Sequence, residues 1–188
     1  MAVNKNNPVV EGASGRFGRT MVFRQKGALT VMAVRPKPTN KLPTQEQMRQ
    51  RFLFAEASAY AMDAINDPVT KEAYLAKAKG NQTAYNVAFK DFLTPPVLHL
   101  VDWSKYTGAI GDTITCRITD IMAVVSVKVS LYGTNDELIE EGMAVQSSLK
   151  LDWVYTATTA HAPVAGTRMV VQMTDTPQNV YTQEQLME

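Results

Sequence analysis

The chain has 188 residues, 19 Lys+Arg against 18 Asp+Glu, a formal net charge of +1 and 45% hydrophobic residues. These values exclude a disordered or fibrous chain, and the length allows one large domain or two small ones, each able to bury a core. The single cysteine, Cys116, excludes an intramolecular disulfide framework.

Residues 1–43 read as a basic hairpin arm with a Pro-rich linker. Gly12, Gly15 and Gly18 mark a flexible or tightly turned lead-in. Thr20-Met21-Val22-Phe23-Arg24-Gln25 and Ala28-Leu29-Thr30-Val31-Met32-Ala33-Val34 flank Lys26-Gly27, and two β-rich runs around a short Gly-containing turn predict a hairpin. Pro36, Pro38 and Pro43 make a stiff connector, since each fixes φ and lacks a donor. An isolated hairpin is marginal in water, so this one must dock on the rest of the chain or on a partner.

Residues 44–94 are predicted to be helical. Thr44 and Gln47 form a capping-box pattern that opens a helix to about Asn66. Within it Phe52, Ala55, Ala59 and Met62 give one apolar stripe. Asp67-Pro68 supplies a cap and an N1 proline for a second helix ending near Gly80. Thr83 caps a third, in which Tyr85, Ala88, Phe89 and Phe92 share a face, and Thr94-Pro95-Pro96 stops it.

Residues 97–188 change character. Strand-like runs recur at Val97–Val101, Thr113–Thr119, Val124–Tyr132, Leu138–Val145, Trp153–Thr159, Arg168–Thr174 and Val180–Thr182. About seven short strands with turn residues between them predict an antiparallel sandwich of immunoglobulin or fibronectin type, although the Cys-Trp-Cys signature of antibody domains is absent. The expected fold class is therefore α+β: a β-hairpin and three helices, then an all-β sandwich.

The sequence offers little for catalysis. Cys116 sits in the alternating run Thr113-Ile114-Thr115-Cys116-Arg117-Ile118 and is expected in the core. His99 and His161 have no His, Cys, Asp or Glu at the local spacing of a zinc site. Ser14 lacks the preceding strand of a nucleophile elbow. Gly12, Gly15 and Gly18 precede no helix that could present its N-terminus to a phosphate. Glu140 and Glu141 point to opposite faces of a strand and cannot form a general acid/base dyad. The aspartates Asp102, Asp112, Asp120, Asp136, Asp152 and Asp175 can gather at strand ends for calcium, but aspartate at turns is also routine. No enzyme activity, cofactor or small-molecule substrate is expected. With no secretory h-region at the N-terminus and no apolar run near the roughly 18 residues of a membrane helix, a cytoplasmic protein is expected. Lysis or packaging in a particle would leave no signal to read.

The net charge of +1 hides two opposed parts. Residues 1–96 hold fourteen basic and seven acidic residues, residues 97–188 five and eleven, giving +7 and −6. The basic residues up to Arg51 are Lys5, Arg16, Arg19, Arg24, Lys26, Arg35, Lys37, Lys41, Arg49 and Arg51. Three readings follow. The arm and sandwich attract each other within a chain or head to tail between chains; the arm binds nucleic-acid phosphates; or the arm is a solvated basic face. Only Phe17 and Phe23 offer base stacking, and an acidic sandwich repels a nucleic-acid backbone.

Gly15-Arg16-Phe17-Gly18-Arg19-Thr20-Met21-Val22-Phe23-Arg24-Gln25, Ala84-Tyr85-Asn86-Val87-Ala88-Phe89-Lys90-Asp91-Phe92, Tyr106-Thr107-Gly108, Gly111-Asp112-Thr113-Ile114, Leu138-Ile139-Glu140-Glu141-Gly142 and Trp153-Val154-Tyr155-Thr156-Ala157-Thr158 together resemble an uncharacterised family of bacterial proteins of Bacteroidota type. The resemblance spans almost the whole chain and implies architecture, not activity. Where that family has an acidic and aromatic stretch after Thr119-Asp120, this chain has Ile121-Met122-Ala123.

The expected function is a non-enzymatic structural protein that self-associates into a ring, filament or particle-like assembly. Met21, Val22, Phe23, Leu29, Val31 and Met32 would supply the apolar contact. Arg16, Arg19, Arg24, Lys26, Arg35 and Lys37 would set register, or in the alternative contact phosphates. An adhesion or ligand-binding module built on the sandwich is the third class, and it would need an export route.

Overall fold

The computed structural model describes residues 2–4, 7–37, 41–148, 150–162 and 164–187; Lys5 and Pro38, named above, lie outside them. The chain divides into two compact units, Met1–Arg49 and Gln50–Glu188.

In the first unit β1 (Ala2–Asn4), β2 (Gly15–Phe17), β3 (Met21–Lys26) and β4 (Leu29–Val34) form one antiparallel sheet in the order β1-β4-β3-β2. The expected hairpin is its centre. Its turn lies one residue later than the Lys26-Gly27 reading, because Lys26 pairs with Leu29 and leaves Gly27-Ala28 as the loop. Gly27, at φ +59°, takes the first turn position, where a II′ turn calls for glycine. The lead-in is less loose than expected, since β2 folds back on β3 and β1 pairs with β4.

Helix α1 (Gln45–Asn66) opens on a reciprocal capping box. The Thr44 N–H donates to Gln47 Oε1 at 3.1 Å, and the Gln47 N–H donates to Thr44 Oγ1 at 3.3 Å. The boundary between the two units falls within this helix. Helix α2 (Pro68–Ala76) starts at the Asp67 cap, whose carboxylate accepts from the Thr70 N–H, and α3 (Ala84–Leu93) starts at Thr83. The apolar stripe read on α1 needs correction. The buried residues are Ala57, Ala61 and Ala64, on the side of the helix opposite Phe52, Ala55, Ala59 and Met62, all of which are exposed. Alanine faces inward because aromatic side chains crowd that side: Phe54 meets Phe89 at 4.6 Å and Tyr60 meets Phe92 at 5.4 Å between ring centroids. Ala61, Ala64, Tyr74, Ala84, Val87 and Ala88 form this helical core, and Ile121 and Met122 pack against it.

Eight strands follow in two antiparallel sheets. β5 (Val97–Asp102), β6 (Thr113–Thr119), β9 (Val145–Gln146) and β10 (Asp152–Thr156) form one, in the order β5-β6-β10-β9. β7 (Val124–Tyr132), β8 (Leu138–Met143), β11 (Arg168–Asp175) and β12 (Val180–Leu186) form the other, in the order β12-β11-β7-β8. The fold is thus α+β and mostly β. Alternation assigns the inner faces. Ile114, Cys116 and Ile118 of β6 pair beside Trp153 and Tyr155 of β10, while Met169, Val171 and Met173 of β11 pair with Leu131, Val129 and Val127 of β7. All belong to one core. The run read as one strand, Leu138–Val145, is two: β8 pairs with β7 and β9 with β10, so the chain changes sheets at the buried Ala144, whose N–H donates to the Val127 carbonyl at 2.8 Å.

Gly142 of β8 lies directly against Tyr155 of the opposite sheet. A Cβ there would lie 2.9 Å from Tyr155 Cε2 on the opposite sheet. Tyr155 is buried and has no room to retreat, so Gly142→Ala should cost about 1–3 kcal/mol as an overpacking substitution. Urea denaturation measures this, and a midpoint equal to that of the parent chain would contradict the packing described.

Candidate functional site

The register of the arm sheet sorts the sequence-predicted contact residues onto two faces. Phe17, Met21 and Val34 form one row, Phe23 and Met32 the next, and Gln25 and Thr30 a third, closed by the Gln25 Nε2 donation to Thr30 Oγ1 at 3.1 Å. The opposite face carries Arg16, Val22 and Ala33, then Arg24 and Val31, then Lys26 and Leu29. The six predicted apolar residues therefore do not make one patch: Met21, Phe23 and Met32 lie on the first face, Val22, Leu29 and Val31 on the second. Phe23 and Val31 are buried, whereas Met21 and Leu29 are exposed. Phe17, which sequence reasoning considered only for stacking, packs edge-on against Phe23 at 5.8 Å between centroids and remains 61% exposed.

The cations are arranged more simply. Arg16, Arg24 and Lys26 share the second face, Arg19 lies in the turn between β2 and β3, and Arg35 and Lys37 follow β4. All six are exposed. The four ion pairs among the described residues join Arg117 to Asp152, Lys128 to Glu141, and Arg168 to Asp136 and Glu184. None involves these six cations. The first unit holds nine basic and two acidic residues and the second ten and sixteen, so the change from +7 to −6 follows the unit boundary.

The second unit contains a fully buried carboxylate that the sequence reading did not single out. Asp91 of α3 is fully buried; its Oδ2 accepts from the Tyr74 hydroxyl at 2.9 Å, and the Tyr74 oxygen lies 2.7 Å from that of Tyr60. Its Oδ1 has no hydrogen-bond partner among the described residues. Burial pushes the Asp91 carboxyl up to about 6; the Tyr74 bond opposes the shift and the charges of Asp120 and Asp175 add to it. Burial also raises Asp120 and Asp175. The signal was present in the sequence: Asp91 continues the spacing of Ala84, Val87 and Ala88, the buried side of α3.

A second buried carboxylate has a structural use. Glu140 Oε2 accepts from the Thr158 N–H, the Thr158 hydroxyl and the Thr159 N–H at 2.9, 3.0 and 3.0 Å, tying β8 to the chain after β10. Glu141 points to the other face and pairs with Lys128 at 2.8 Å. Cys116 is buried, and desolvation pushes its thiol up to about 12, which removes nucleophilic character. His99 Nε2 lies 2.6 Å from Thr119 Oγ1 and His161 Nε2 3.1 Å from Thr167 Oγ1. Among the described residues, no group of three or more His, Cys, Asp or Glu is placed to hold a metal ion, and no helix is long and apolar enough to cross a membrane. No protein-family model and no curated protein matches the chain.

Asp91 sets a pH dependence of stability. A carboxyl raised on folding contributes stability that is complete below its ordinary value of 3.8 and is lost as pH rises through about 6. Asp67, Asp102, Asp112 and Asp152 are held low by hydrogen bonds, so what they contribute is lost only as pH falls below that ordinary value. Between about pH 5 and pH 8 the Asp91 effect dominates. The chain should lose roughly 1–1.5 kcal/mol across that window, and Asp91→Asn should flatten the profile and raise stability at the alkaline end. Urea midpoints at the two pH values decide it; a parent chain more stable at pH 8 than at pH 5 would contradict the reading.

Proposed function

We propose that this is a non-enzymatic structural protein that self-associates through its N-terminal arm into a ring, filament or particle-like assembly. One observation carries the reading: the arm exposes six cations that take part in no ion pair among the described residues, beside Phe17, Met21, Leu29 and Val34, which are exposed as well. A small sheet bearing both unspent charge and unspent apolar surface suits a partner that is acidic and offers a sheet edge. The second unit of another copy meets both requirements. It carries a net −6, and its outer strands β5 and β12 leave two edges side by side along a cleft of about 290 Å³ lined by Leu98, Leu100, Gln183 and Gln185. An arm laid along such an edge adds main-chain hydrogen bonds, and its cations fix the register. A contact of this kind is head to tail and propagates or closes into a ring.

The strand orders β5-β6-β10-β9 and β12-β11-β7-β8 correspond to the A-B-E-D and G-F-C-C′ sheets of an immunoglobulin-like sandwich. We read the second unit as that fold with a helical lead-in, an architecture in keeping with the bacterial family that the sequence resembles. Sandwiches of this kind serve widely as building blocks, so the analogy supports architecture and leaves the function to the arm.

Light scattering on the column-purified full chain tests the proposal. The expected mass is a multiple of 20.8 kDa that falls in about 0.5 M salt, where surface charge is screened, and falls likewise in the triple variant Arg16→Glu, Arg24→Glu, Lys26→Glu. A monomer at high concentration, or an assembly indifferent to both changes, overturns it. The second reading, nucleic-acid binding, is favoured by the alignment of Arg16, Arg24 and Lys26 on one face of a β-ribbon. Three phosphate contacts would give a slope of about −2.7 in log affinity against log salt. The absence of any DNA shift at about 50 mM salt removes that reading.

A further inference from the structure

Helix α1 carries an apolar seam that the fold does not use. Met48, Phe52, Ala55, Ala59 and Met62 follow one another at intervals of four, three, four and three residues, on the side opposite the buried Ala57, Ala61 and Ala64. That interval is the a/d repeat of a coiled-coil seam. Met48 is 51%, Phe52 65% and Met62 58% exposed, and the two alanines between them are exposed too.

We propose that this seam pairs antiparallel with the same seam of a second copy, forming a two-fold dimer that does not depend on the arm. The occupant is identified by complementarity of size and of charge. In the antiparallel register that sets Phe52 opposite Ala55 of the second copy, Met48 falls opposite Ala59, and the two-fold axis repeats both pairs. These four layers each join one large side chain to one small one, while Met62 falls opposite Gln45 beyond them. The flanking positions agree. Arg49 and Glu56 follow seam residues Met48 and Ala55, and in this register each Arg49 meets the other copy's Glu56, so two opposite-charge pairs form and no like charges meet. Antiparallel packing also sets each helix dipole against the reverse of the other.

The competing arrangements are poorer in the fit of large side chains against small ones. Sliding the antiparallel pair by one heptad sets Phe52 against Met62, Ala55 against Ala59, and Glu56 against its own copy, although Arg49 then meets Asp63. A parallel pair stacks Phe52 on Phe52 and Ala55 on Ala55, which forces a wide layer beside a narrow one; its charge contact is Arg51 to Glu56. A two-fold helix contact closes on itself, whereas the arm contact is head to tail. Together they would let one chain build beyond a simple ring or dimer.

Sedimentation velocity of the full chain tests the seam. Phe52→Glu, at an exposed position that leaves the helix intact by circular dichroism, should halve the mass of the sedimenting species when made in the arm triple variant, where the head-to-tail contact is absent. Arg49→Glu and Glu56→Arg should each weaken pairing about tenfold, and the double variant R49E/E56R should recover most of it. A parallel dimer would be weakened further by the double swap, which sets a new cation against Arg51. An unchanged mass in Phe52→Glu, or a double variant no better than the singles, overturns the proposal. The arm triple variant leaves this pairing in place, so failure of the arm and failure of the seam read out separately.

Discussion

Two sheets that each carry one apolar face become dry only when those faces meet, and the second unit is built on that requirement. Alternation along β6, β7, β10 and β11 places Ile114, Cys116, Val127, Val129, Leu131, Tyr155, Met169, Val171 and Met173 inside with almost no exposure. The devices around the core serve the same end. Gly142 leaves space for the Tyr155 ring, Ala144 carries the chain from one sheet to the other, and Glu140 satisfies three donors of the loop after β10. Cys116 has been turned into an apolar filler by burial, and Glu140 into a clamp.

The same economy applies where the helices meet the sheets. Ile121 and Met122 pack against the helical core. Close by, burial raises the affinity of Asp91, Asp120 and Asp175 for protons, and the charge of Asp175 adds to the shift at Asp91 and Asp120. A carboxylate buried beside two others is costly to ionise, and its retention ties the integrity of this junction to pH. Surface left unused is found elsewhere, on the arm sheet and on the outer side of α1. Those two places differ in kind: one is basic and mixed, the other a narrow apolar seam with a charge on each flank.

Much of the architecture was legible because it is written in local periodicity. The strands at Thr113–Thr119 and Val124–Tyr132 lie where alternation put them, and the caps at Thr44, Asp67 and Thr83 are hydrogen-bonded as their side chains demand. What escaped is non-local. Nothing in Leu138–Val145 states that Ala144 changes sheets. Nothing in Gly15-Arg16-Phe17 states that β2 pairs with β3. On α1 the periodicity was read but its phase was not, because the helix has two plausible faces and the bulkier one was taken as the inner. Aromatic residues from α3 fill the space on the inner side, so alanine is what fits there. Alternation along a strand already sets Val22 and Phe23 on opposite faces, and strand pairing adds which residues of β4 share each face with them.

Self-association is the claim on which the account stands, and sedimentation equilibrium of the unmodified full chain tests it most directly. From about 1 to about 100 µM, the weight-average mass should rise above the 20.8 kDa of a single chain. Raising the salt to about 0.5 M should lower it without abolishing it, because the charged contact is screened while the apolar seam is not. A single species of one chain's mass across the whole range, at low and at high salt, would contradict the account.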